Sequence, residues 1–148
     1  MSPAETTPLR TLCLEPIGWV HSGLNGRGQA PHQGPEAGLL SDIEVDPRWA
    51  DGLTGLSPGQ DLWVVGYLDQ AGTPEVLVHP RRDPNRPVTG IFNTRAPLRP
   101  CPISLTLVRL EAVNGLRLTV RGLELLDGTP VLDLKPWLPG VDEPLSGS

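Results

Sequence analysis

Five arginines fall between residues 81 and 99, at positions 81, 82, 86, 95 and 99, against a single acid, Asp83. Arginine supplies all but one of the chain's twelve basic residues, the exception being Lys135. A guanidinium offers a planar fork of donors that matches a carboxylate or a phosphate, whereas an ammonium acts as a point charge. Residues 81–99 are therefore an anion-binding candidate inside a chain whose net charge is −5. The end of this segment runs into TRAPLRPCPIS, Thr94 to Ser104. Its prolines fix φ and remove amide donors, so it can be neither a helix interior nor a central strand. Stiffness of that kind suits a loop shaped in advance for a ligand, because little entropy is lost on binding. Cys101 sits within it and has two readings: a small buried hydrophobe, or a thiolate favoured by Arg95 or Arg99.

Two other polar loops carry chemistry-bearing side chains. APHQ, Ala30 to Gln33, lies inside a glycine-rich stretch from Ser22 to Gly38, and DGTP, Asp127 to Pro130, forms a tight turn. Trp137, in KPWLP, is placed either to stack on a base or to seal the rim of the fold. No GxGxxG, P-loop, GxSxG or HExxH motif is present, so a βαβ nucleotide site and serine-hydrolase or zinc-protease chemistry are not expected. Cys13 and Cys101 form no CxxC pair, and His21, His32 and His79 lack zinc-site spacing. No metal is expected. The negative net charge argues against non-specific nucleic-acid binding through bulk charge, which leaves local charge to do any such work.

These loops need a scaffold, and the composition indicates one built from short strands. Eighteen prolines and seventeen glycines among 148 residues favour many turns over a helical bundle. Strands are expected at Leu12–His21, with Pro16 at an edge or bulge, and at Leu39–Val45, Asp61–Leu68, Pro74–Val78 and Gly90–Thr94. Ile103–Glu111 and Leu116–Leu123 flank Asn114-Gly115, a strong hairpin signal. In the second arm Leu116, Leu118 and Val120 alternate with Arg117, Thr119 and Arg121, giving one buried and one wet face. Val131–Leu134 resumes extended structure. The fold class expected is all-β, a single antiparallel β-barrel-like domain with long Pro/Gly-rich loops. The domain is placed at 12–140, between flexible tails at 1–11 and 141–148. The N-terminus lacks the pattern of a signal peptide and no apolar run is long enough for a membrane span, so a cytoplasmic protein without membrane contact is expected.

The stretches IGWVHS, APHQ, DGLTGL, DLWVV, GIFNTRAPLRPCPISLTLVRL and GLELLDGTPVLDLKPWLP, in this order and spacing, resemble the TsaA-like family. The likeness runs from Ile17 to Pro139. It implies a β-barrel that binds S-adenosyl-L-methionine near a homodimer interface and methylates N6-threonylcarbamoyladenosine at position 37 of tRNA. Carried over by position, the cofactor contacts would be Pro31, His32 and Gln33, Asp69 and Gln70, Arg95, and Asp127, Gly128, Thr129 and Pro130. Arg95 would grip the cofactor carboxylate, and Asp127 would accept from its ammonium or ribose. Arg99, Lys135 and Trp137 are candidates for the substrate side, and Cys101 for catalysis. The chain departs from the family pattern at several of these places, with Cys101 for asparagine, Ser104 for glycine and His32 for arginine. Alternatives are a small-molecule methyl acceptor, or a non-catalytic module that binds the cofactor.

Overall fold

A computed structural model describes residues 9–23 and 38–145. Eight strands are formed: β1 (Gly18–His21), β2 (Leu40–Val45), β3 (Asp61–Tyr67), β4 (Leu77–Val78), β5 (Thr89–Gly90), β6 (Ile103–Asn114), β7 (Arg117–Arg121) and β8 (Pro130–Pro136). Six of them close into an antiparallel barrel in the order β1-β2-β7-β6-β3-β8, and β4 and β5 make a separate two-stranded arm. The all-β barrel expected from composition and turn signals is the fold observed.

Alternation explains the closure. In β7, Leu118 and Val120 are buried while Arg117 is exposed, and β2 buries Ser41, Ile43 and Val45 in the same two-residue rhythm. The inward positions of all six strands meet in one core that includes Val20, Ile43, Leu62, Val64, Val108, Leu110, Leu118, Val120 and Val131. Each such aliphatic side chain removed from water contributes roughly 1.5–3 kcal/mol. Leu123 and Leu125, from the segment between β7 and β8, join the same core. Asn114-Gly115 turns the β6–β7 hairpin, with Gly115 at φ 61°. β6 extends to Asn114 and carries a register shift between Leu110 and Ala112, which bends it around the barrel.

Three expected strands are shorter or different: of Pro74–Val78 only Leu77–Val78 pairs, and the other two lie at the N-terminus and after Gly90. Only Gly18–His21 of the segment Leu12–His21 pairs, while Leu12 and Leu14 are exposed. Ile17 donates the first bond from its amide to the Val131 carbonyl at 2.8 Å, and Pro16 has no donor with which to extend the ladder. Pairing in the arm stops at Gly90, and Ile91–Asn93 turn into a 3-10 helix around the buried Ile91. A second 3-10 helix, Pro47–Leu53, follows β2 and is capped by Asp46, whose carboxylate accepts from the Arg48 amide at 2.8 Å. That amide, followed by the Arg48 guanidinium, holds the Asp46 carboxyl below the usual carboxylate range.

The pairing pattern has one consequence that matters for function. Because neighbouring strands alternate in direction around the barrel, the connections β1–β2, β3–β6 and β7–β8 all emerge at the same end. These carry, respectively, APHQ, the arginine-rich segment with TRAPLRPCP, and DGTP. The β2–β3 connection, the β6–β7 turn and the C-terminus of β8 occupy the opposite end.

Candidate functional site

DGTP is locked to the end of β1. The Gly128 amide donates to the Val20 carbonyl at 2.7 Å, and the Val20 amide donates to the Thr129 carbonyl at 3.0 Å. Thr129 is buried, and its hydroxyl closes the turn by donating to the Leu126 carbonyl at 2.7 Å. Gly128 adopts φ 84°, a conformation that costs a residue with a Cβ roughly 1–2 kcal/mol. The turn is thereby rigid while Asp127 is presented at the surface. Its Oδ1 accepts from the Ser22 amide at 3.0 Å, and the Ser22 hydroxyl donates to the Leu125 carbonyl at 3.1 Å.

Beside this turn lies a cavity of about 350 Å³, lined by His21, Ser22, Gly23, Leu40, Ser41, Asp42 and Asp127. The segment carrying APHQ enters and leaves between Gly23 and Leu40, both of which border the cavity. The polar groups are mainly acceptors: the Asp42 and Asp127 carboxylates and the two serine hydroxyls. The Ser41 hydroxyl is buried and has no hydrogen-bond partner among the described residues. An unpaired buried hydroxyl is costly and uncommon, and this one belongs to a residue that borders the cavity. Asp42 is oriented by the Thr119 hydroxyl, which donates to Oδ1 at 2.7 Å. A cavity of this size and character suits a ligand with an ammonium and a ribose diol.

TRAPLRPCP, from the β3–β6 connection, brings two guanidiniums to the same barrel end, and none of its residues lines the cavity. The Arg95 guanidinium donates through Nη2 to the carbonyl of Leu105 on β6. Arg99 braces the loop from within, donating through Nη1 to the Thr94 carbonyl at 2.8 Å and the Ala96 carbonyl at 3.2 Å. Its guanidinium also lies 6.0 Å from the centre of the Phe92 ring. Asp69 and Gln70 are exposed just beyond the end of β3, on the same barrel end. Cys101 is exposed and unpaired by any disulfide, which removes the reading of it as a buried packing residue. Pro31, His32 and Gln33 lie outside the described residues.

Two sequence candidates stand apart from this assembly within the subunit. Lys135 pairs with Asp133 at 3.0 Å, and the Trp137 amide donates to the Asp61 carbonyl at 3.0 Å, both at the opposite end of the barrel. Residues not singled out from sequence are Ser22, Ser41 and Asp42. The available signal was a small polar residue, Ser41, at a position that alternates in phase with the aliphatic Ile43 and Val45. Among the described residues no group of three or more His, Cys, Asp or Glu is arranged to hold a metal ion, and no helix is long and apolar enough to cross a membrane.

An antiparallel barrel that gathers three connections at one end, beside a polar cavity, has the form of a small-molecule-binding domain, and comparison with known proteins places it further. The family described as the tRNA-methyltransferase O N-terminal domain matches residues 19–143, and the chain belongs to it. An S-adenosyl-L-methionine-binding protein of Archaeoglobus fulgidus is 36% identical over 131 residues, covering 88% of this chain and 93% of its own. The crystal structure of TrmO from Pseudomonas aeruginosa superposes with a TM-score of 0.77 at 31% identity, covering 95% of this chain. A second crystal structure of TrmO gives 0.76 at 32% identity, covering 94% of this chain. The chain spans 62% and 63% of those two structures' lengths.

Proposed function

We propose that this chain binds S-adenosyl-L-methionine at the loop end of the barrel and transfers its methyl group to a tRNA nucleoside, N6-threonylcarbamoyladenosine at position 37. The observation that carries the reading is the convergence at one barrel end of Asp127 and the unpaired Ser41 hydroxyl with the loop that bears Arg95, in a member of this family. The cofactor, when bound, supplies a methyl group already activated on a sulfonium. Asp127, held by the Ser22 amide, accepts from the ammonium or the ribose diol. Ser41 gains the hydrogen bond it otherwise lacks, and Arg95 faces the carboxylate. The rigid DGTP backbone orients the adenine edge, and the braced TRAP loop excludes water from one side. Alignment of nucleophile and methyl group is the main demand, so the protein needs placement more than a covalent catalyst.

The working form is proposed to be a homodimer. Tyr67 pairs with Ile103 and Val65 with Leu105 on the outer face of β3 and β6. Tyr67, Ile103 and Leu105 are between 37% and 43% exposed there, an apolar strip of the kind a partner subunit covers.

The test is calorimetric titration with S-adenosyl-L-methionine, followed by transfer of its labelled methyl group to tRNA that carries threonylcarbamoyladenosine. Wild-type protein is expected to bind and to label that nucleoside. Asp127→Ala is expected to weaken cofactor binding by about tenfold or more, the loss of one charge-assisted contact. Absence of binding by wild type overturns the cofactor reading. Binding without labelled tRNA, with label on a small-molecule acceptor instead, overturns the tRNA reading alone.

A further inference from the structure

Arg48 and the arginines on the barrel strands are engaged with carboxylates, while Arg95 and Arg99 donate to backbone carbonyls. Arg109 meets Asp61 at 3.1 Å, Arg121 meets Glu111 at 2.8 Å, Arg48 meets Asp46 at 3.2 Å, and Arg117 lies within 3.8 Å of Asp42. The β4–β5 arm breaks the pattern. Arg81 and Arg82, at its tip, have no carboxylate within 4.0 Å among the described residues, and Arg86 has only Asp83 at 3.7 Å. The tip is nevertheless held in shape: His79 Nδ1 lies 2.8 Å from the Arg86 carbonyl, and the Asp83 carboxylate accepts from the Asn85 amide at 2.9 Å. Arg81 and Arg82 are also the described non-glycine residues with positive φ, at 55° and 56°. Two successive side chains are thus kept in a sparsely populated conformation, a device that recurs where a ligand is gripped. The root of the arm is tied to the proposed cofactor wall, since the Glu75 amide donates to the Leu98 carbonyl at 3.1 Å. Beside that root Phe92 is 81% exposed, with Arg99 against its ring.

We propose that the β4–β5 arm is an RNA clamp: Arg81, Arg82 and Arg86 take backbone phosphates of the substrate, and Phe92 stacks on an unpaired base next to the cofactor end of the barrel. The proposal rests on the reading of tRNA as substrate and adds the surface that binds it. It reconciles an acidic chain with a polyanionic partner, because the positive charge is concentrated where the other arginines' carboxylate partners are missing. The paired part of the arm is short, Leu77–Val78 against Thr89–Gly90, so the tip arginines and Phe92 at the root are placed to hold neighbouring nucleotides of one strand. Exposed, unpaired bases of a loop are what an aromatic face beside a guanidinium recognises.

The experiment measures binding of a fluorescently labelled tRNA transcript to full-length protein across a salt series, with S-adenosyl-L-methionine affinity measured in parallel. Triple substitution R81A/R82A/R86A is expected to weaken tRNA binding about tenfold or more and to make the slope of log affinity against log salt shallower by roughly 2. Cofactor affinity is expected to stay within about twofold, since none of the three residues borders the cavity. Phe92→Ala is expected to weaken tRNA binding by about fivefold or more with the slope unchanged. If wild type binds tRNA and the triple variant matches its affinity and slope, the clamp is wrong and the substrate reading stands. If wild type binds the cofactor but no tRNA, both fail together. A triple variant that changes only self-association, seen by light scattering, makes the arm a protein contact and overturns the proposal.

Discussion

Ser41 and Ser104 are both hydroxyls buried without a hydrogen-bond partner among the described residues, yet their surroundings differ. Ser41 lines the cavity beside Asp127, whereas Ser104 is packed against Gly66 inside the β3–β6 pair. Removing an unsatisfied buried hydroxyl relieves a desolvation penalty of about 1–3 kcal/mol. Ser41→Ala is therefore expected to raise the unfolding free energy of the ligand-free protein by about 1 kcal/mol. The same change is expected to weaken S-adenosyl-L-methionine binding several-fold. Thermal unfolding and titration on one preparation check both signs; a variant that gains stability and keeps full affinity would make Ser41 a packing residue. Site residues were legible from sequence only where a loop motif flagged them. Asp127 stood in DGTP, but Ser41 stood in a strand, where the same residue type is ordinarily a solvated position.

At the scale of elements, the barrel depends on close approach where β3, β6 and β8 meet. A Cβ placed on Gly66 would lie 2.8 Å from the Leu125 side chain and 2.8 Å from the Ser104 hydroxyl. Pairing of β3 with β8 shifts register at this position, between Val65 and Gly66, so the start of β8 and the DGTP turn before it are set from there. Gly66→Ala is expected to cost about 1–3 kcal/mol through overpacking, visible as a lower denaturant midpoint. The double variant Gly66→Ala with Ser104→Gly is expected to recover part of that loss by vacating one of the two contacts. Strand periodicity made β2, β3, β6, β7 and β8 readable in advance. β1, the start of Pro74–Val78 and the segment after Gly90 were misjudged because composition does not report where pairing begins or ends, as at the proline before β1 or the buried isoleucine that starts a turn. The registers, which decide which loop meets which, are tertiary and have no local signature.

For the whole molecule, closure of an alternating antiparallel barrel sorts five connections into two ends. Three loops separated by tens of residues in sequence thereby share one rim, and the arm that leaves this rim carries Arg81 and Arg82, which meet no carboxylate among the described residues. The opposite end is a distinct environment. It has its own cavity of about 440 Å³, bordered by Trp49, Leu53, Leu56, Gln60 and Lys135 among others. Family resemblance made the loops legible as a group, but the separation of Lys135 and Trp137 from them follows only from strand direction. The most direct test of the account is backbone-amide NMR during titration with S-adenosyl-L-methionine. The account predicts that the largest shifts fall on Ser22, Gly23, Ser41, Arg95, Asp127 and Gly128, with Trp49, Gln60 and Lys135 unmoved. Shifts concentrated on Trp49, Gln60 and Lys135 would place the ligand at the wrong end of the barrel and contradict it.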